Sequence, residues 1–81
     1  TEVRRSKSEK AIPPLRQAVN LAPDVFDFNL ELGKALNEAK LFDEASGYLR
    51  KAEKLNPKHF ETKAMLGFAL VGAAKFDEGI N

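Results

Sequence analysis

His59 is the only histidine in the chain, so clusters of histidine ligands are excluded. It stands two residues after Pro57 in a turn, where an exposed loop side chain is the expectation and a pH-responsive role the alternative. Ser6, Ser8 and Ser46 have no histidine near them in sequence that could act as the base a hydroxyl nucleophile needs. There is no cysteine, which removes disulfides, thiolate metal sites and thiol nucleophiles. Adjacent carboxylates occur at Asp43-Glu44 and again at Asp77-Glu78, a grouping that could serve acid–base chemistry or hold a cation. Both pairs stand in the same surroundings, however, which marks them as first-turn helix residues facing the positive end of the helix dipole. No glycine-rich phosphate loop is present, because Gly67 and Gly72 belong to a helix and its end. These residues imply a chain that is not an enzyme and uses no metal and no cofactor.

Charge and hydropathy narrow the partners. With 13 Lys and Arg against 12 Asp and Glu, the formal net charge is +1, so no global field favours nucleic acid or an anionic membrane. Arg4, Arg5, Lys7 and Lys10 form the strongest local bias, read as a solvated end. The alternative, a patch for an acidic partner or nucleic acid, lacks interleaved aromatics for base stacking. The longest apolar run, residues 68–74, falls far below the ~18–20 residues of a membrane span. Residues 1–10 are polar and basic, unlike a signal peptide, and nothing identifies a compartment. The expectation is no nucleic acid and no membrane.

The elements that must position these residues announce themselves by repetition. Residues 32–44, LGKALNEAKLFDE, return as residues 66–78, LGFALVGAAKFDE, with eight identities in thirteen and an offset of 34. The same offset pairs Phe26 with Phe60, and backward it pairs Pro57 with Pro23, Leu55 with Leu21, Ala52 with Ala18, Leu49 with Leu15 and Ala45 with Ala11. A fixed period of this length is the signature of a helical repeat. One domain follows: a partial repeat 1–25, a complete repeat 26–59 and a truncated repeat 60–81.

Leu32-Gly33, Leu36, Phe42, Ala45, Leu49, Ala52 and Pro57 fill the places of a known pattern, and nearly the whole chain resembles the tetratricopeptide repeat (TPR) family. The resemblance implies an all-α fold in which antiparallel helix-turn-helix repeats of 34 residues stack as a right-handed α-solenoid. Two positions depart from the pattern. The aromatic three residues before Leu-Gly is Asn29 in one unit and Lys63 in the next, with Phe26 and Phe60 read as anchors displaced by one turn. Gly79 stands where the family has Ala.

Helices are expected over residues 24–38, 42–55 and 60–71, with a further one from residue 76 and an earlier one that starts or kinks at Pro13 or Pro14 and reaches Leu21. Asp24 is the expected cap of the first full helix. Leu32, Leu36, Phe42, Leu49 and Leu55 are the expected core, and Gly33 and Gly67 are expected where the two helices of a unit cross closely.

In the family, the first helix of each unit lines a concave groove. Resemblance assigns that groove here to Asp27, Leu30, Lys34 and Asn37, then Glu61, Ala64, Phe68 and Val71, and steps of three, four and three do keep each set on one helical face. Lys34 and Asn37 offer to orient a polar or anionic group, while Ala64, Phe68 and Val71 offer an apolar strip. The implied function is a protein-protein interaction module binding a partner peptide or helix, amphipathic rather than purely acidic, as part of a larger adaptor or assembly protein. A self-associating scaffold segment is the alternative, because Leu15, Val19 and Leu21 at one end and Leu66, Phe68 and Leu70 at the other lack neighbouring repeats.

Overall fold

Four helices follow one another in the computed structural model: α1 (Lys7–Leu21), α2 (Phe26–Glu38), α3 (Phe42–Leu55) and α4 (Phe60–Ile80). The structure describes the backbone of residues 7–80 and the side chains of residues 10–75. The side chains of Arg4, Arg5, Lys7, Ser6, Ser8, Asp77 and Glu78 lie outside it. Among the described residues the chain is all-helical, with no strand, and no helix is long and apolar enough to cross a membrane. Helix α2 packs against α1 and α3 and also touches α4, and α3 packs against α4.

The core forms where α2 and α3 cross. Leu32, Leu36, Ala45, Leu49 and Ala52 have no exposed surface, and Ala69 of α4 closes the far side. Gly33 makes the crossing close: a β-carbon there would lie 2.6 Å from Leu49 Cγ and Cδ2. Each large aliphatic side chain buried in this way stabilises by about 1.5–3 kcal/mol. Phe42 is only half-buried, and Leu55 is 37% exposed because it shares the flank of α3 with half-buried Tyr48, off the Ala45/Leu49/Ala52 stripe. Val19, expected to lack a partner, packs into the core with Ile12 against α2.

Helix ends differ from expectation for local reasons. Helix α1 starts at Lys7 and carries Pro13 and Pro14 inside it, so the prolines neither start it nor supply amides to the turn before them. Asp24 does not cap α2; the N-cap is Val25, with no side-chain cap, and Asp24 lies one residue too early and pairs with Lys51 at 3.1 Å. The Asn29 amide fastens this entry instead, donating to the carbonyls of Pro23 and Val25 at 2.9 Å each. One period later, His59 holds the N-cap position. Its Nδ1 accepts the Thr62 amide at 3.2 Å and lies 2.8 Å from Thr62 Oγ1, and its ring meets Phe26 edge-on at 5.0 Å. The histidine is therefore half-buried and structural rather than a free loop side chain.

The turn after α2 is a Schellman motif: Leu41 N–H reaches Leu36 O at 2.8 Å, Lys40 N–H reaches Asn37 O at 3.0 Å, and Lys40 takes the left-handed φ of 65°. Its counterpart does not form. Residues 73–75 stay helical, so α4 runs on through Ile80 and no new helix starts at residue 76. Ala74 and Lys75 stand where Lys40 and Leu41 stood, so the apolar residue that completes the motif is missing and a strong helix former replaces the left-handed one. Among the described residues no second helix covers α4 on that side, and Gly67, unlike Gly33, has nothing within 4 Å of a β-carbon placed there.

Two stability measurements check this account. Gly33→Leu should overpack the crossing and cost about 1–3 kcal/mol or more, whereas Gly67→Ala should hold or raise stability by up to about 1 kcal/mol. Equal urea midpoints for the two variants would mean that α2 and α3 do not cross at Gly33. Lys40→Gly should raise stability by about 1 kcal/mol by relieving the left-handed backbone, read as a higher melting temperature.

Candidate protein-interaction surface

Helix α2 touches three other helices, and this decides which of its residues remain available. Only Asp27, Glu31, Lys34 and Glu38 stay exposed along its length after the half-buried Phe26 and Phe28 are set aside, and their steps of four, three and four make one stripe. Leu30 and Asn37, expected in the groove, are 8% and 7% exposed. Three packed neighbours bury a wider arc than one neighbour does, so the open stripe is displaced by one position toward Glu31 and Glu38. Leu30 belongs to the core. Asn37 is used internally: its Nδ2 donates to the Met65 carbonyl of α4 at 3.2 Å, while its Oδ1 is buried without a partner.

That contact sets α2 beside α4, with the second turn of α4 against the last turn of α2. Along α4, Glu61 and Ala64 are exposed, as are Phe68 at 60% and Val71 at 56%. Phe26 at the start of α2 meets His59 just before α4, and Asn37 further along α2 meets Met65 further along α4, so the two helices run in the same sense, and the exposed Glu61, Ala64, Phe68 and Val71 make one stripe on α4. Phe68 leans on Phe42 edge-to-face, with centroids 5.9 Å apart, which holds the ring in place while leaving most of it open. Gly72 lies under the same Phe42 ring, where a β-carbon would come within 2.7 Å.

The two stripes differ in chemistry. On α2 three carboxylates surround one ammonium, while α4 offers Ala64, Phe68 and Val71 beside a single carboxylate, Glu61. Such a face can take an amphipathic segment that buries apolar side chains against α4 and sets cations along α2. Glu31 and Glu38 escaped the sequence reading, although Leu30, apolar in an otherwise polar set, was the signal that the register lay one step away.

A second concavity, of about 440 Å³, opens between α1 and α3 over Asn29, with Arg16, Val19, Asp43, Tyr48 and Lys51 around it. Arg16 is hydrogen-bonded to Glu44, which raises the pKa of its guanidinium, and Lys51 pairs with Asp24. Both of its cations are paired within the chain, and such exposed pairs contribute at most about 1 kcal/mol.

No protein-family model matches this chain, and comparison with the curated proteins and with the solved structures gives no match either. Function therefore rests on the surface itself.

The orphaned acceptor of Asn37 yields a measurable outcome. Asn37→Val, which installs the residue found one period later at Val71, removes one hydrogen bond of about 1 kcal/mol and a buried unpaired acceptor costing about 1–3 kcal/mol. Stability in urea should hold or rise. A loss above about 1 kcal/mol would mean that Oδ1 is satisfied in solution.

Proposed function

We propose that the chain is a non-catalytic protein-interaction module, a stretch of TPR-like array whose α2–α4 face binds an amphipathic partner helix or peptide carrying both apolar and basic side chains. The finer architecture belongs to this proposal: 34-residue helix-turn-helix units stacked as a right-handed α-solenoid, with α1 closing one unit, α2 and α3 forming the next and α4 opening a third. The period in the sequence and the parallel placement of α2 and α4 support it.

The observation that carries the functional reading is the pairing of an acidic stripe, Asp27, Glu31, Lys34 and Glu38, with an apolar one, Ala64, Phe68 and Val71, on neighbouring parallel helices. An exposed phenylalanine held by a second ring has the character of an interface anchor, because little side-chain freedom is lost when it is covered. The burial of Leu30 and Asn37 also alters the ligand. Without Asn37, Lys34 alone cannot build a receptor for an anionic group, so the partner's charge is basic.

Helical peptides selected against the chain from a randomised library provide the test. Binders should be enriched in Lys or Arg opposite apolar residues, and Phe68→Ala should weaken them by more than about 1 kcal/mol, roughly fivefold in Kd. Glu31→Lys and Glu38→Lys should slow association, most strongly at low salt, and Lys34→Glu should speed it. Binding that tolerates all four changes would move the site to another face.

A further inference from the structure

We propose that α1 of one copy docks on the open side of α4 of another, joining chains head to tail through the same contact that α2 and α3 make within one chain. The inference rests on the repeat reading above and not on the binding of any peptide.

Both halves of that contact exist on this chain, and among the described residues neither is fully covered. Moving α3 back by one period turns Ala45, Leu49 and Ala52 into Ala11, Leu15 and Ala18 of α1. Moving α2 forward turns Phe26, Leu32, Gly33 and Leu36 into Phe60, Leu66, Gly67 and Leu70 of α4. Within the chain, Leu32, Leu36, Ala45, Leu49 and Ala52 are wholly buried. Their counterparts on α1 are only half-buried, Leu66 is half-buried, Leu70 is 42% exposed and Gly67 faces open space. Helices α1 and α4 do not touch one another in the chain, so neither fills the other's face. The segment that would have covered α4 by turning back at residues 73–75 continues along the helix axis instead.

Transferring the register supplies specific pairs. Leu15 of a second copy enters the recess at Gly67, as Leu49 enters at Gly33. Val25 of that copy, 37% exposed, meets Phe60, 79% exposed, as His59 meets Phe26. One pair opposes the contact. Arg16 on α1 bonds Glu44 on α3, and one unit further the same positions bring Arg50 to Lys10 of the second copy, both exposed and both cationic. The occupant is thus a second copy whose docking is apolar in drive and restrained by like charge. The two faces that meet are different, so the assembly is heterologous and grows as an open stack or ring rather than stopping at a two-fold dimer.

Sedimentation equilibrium of the 81-residue chain, over a wide concentration range and at low and high salt, tests this. The average mass should climb past two copies, and salt should strengthen association by screening Arg50 from Lys10. Gly67→Arg should weaken association about tenfold or more while leaving the helical spectrum unchanged and the dilute melting temperature unchanged or higher, since its side chain enters free space within the chain. Lys10→Glu should strengthen association about two- to fivefold at low salt. A chain that stays monomeric throughout overturns the proposal and leaves the α4 face to a following segment of a longer polypeptide. A dimer indifferent to Gly67→Arg overturns it as well. Neither result touches the peptide-binding reading, which is measured separately on the unaltered chain at concentrations low enough to keep it monomeric.

Discussion

Helix α3 can lie against α2 at this distance because Gly33 has no side chain and Leu49 occupies the room left by it. The rest of the chain is arranged around that crossing. It places Leu32, Leu36, Ala45 and Ala52 out of water together, and α3 also packs against α4, whose Ala69 and Thr62 are fully buried. Small residues at a crossing give a short interhelical distance, and the large ones around it then interlock at interior density. A single position without a β-carbon thereby sets the spacing of the unit.

The local period was legible because it is written in side-chain volume, as Gly, Ala and Leu at fixed offsets, and volume governs packing directly. Helix ends were harder to read. Asp24 has the chemistry of a cap but sits one residue outside the cap position, while His59, with no such reputation, sits on it and accepts the Thr62 amide. The groove suffered from a different cause. A helix with three neighbours buries more than half its circumference, so Leu30 and Asn37 went inward, and only the three-dimensional count of neighbours reveals which stripe is left. The straight course of α4 shows a third limit: two stretches with eight identities in thirteen take different shapes because the differing residues include those at the turn.

Division of labour between the helices also follows from packing. Helix α2 is enclosed, so its remaining surface can be fully charged without loss to the core. Helix α4 is enclosed on fewer sides and keeps one broad open arc with two adjoining apolar strips, Ala64, Phe68 and Val71 along one edge and Phe60, Gly67 and Leu70 along the other. The first suits a foreign segment lying across both helices. The second repeats a contact already made inside the chain, and only a helix with the matching small-large-small order can fill it well.

Asn37 carries a mechanical consequence. Its amide pegs α2 to one carbonyl of α4, so sliding α4 by a turn would break that bond and strand a second buried polar atom beside Oδ1. The junction between α2 and α4 is therefore indexed along its axis, like a ratchet tooth in a notch.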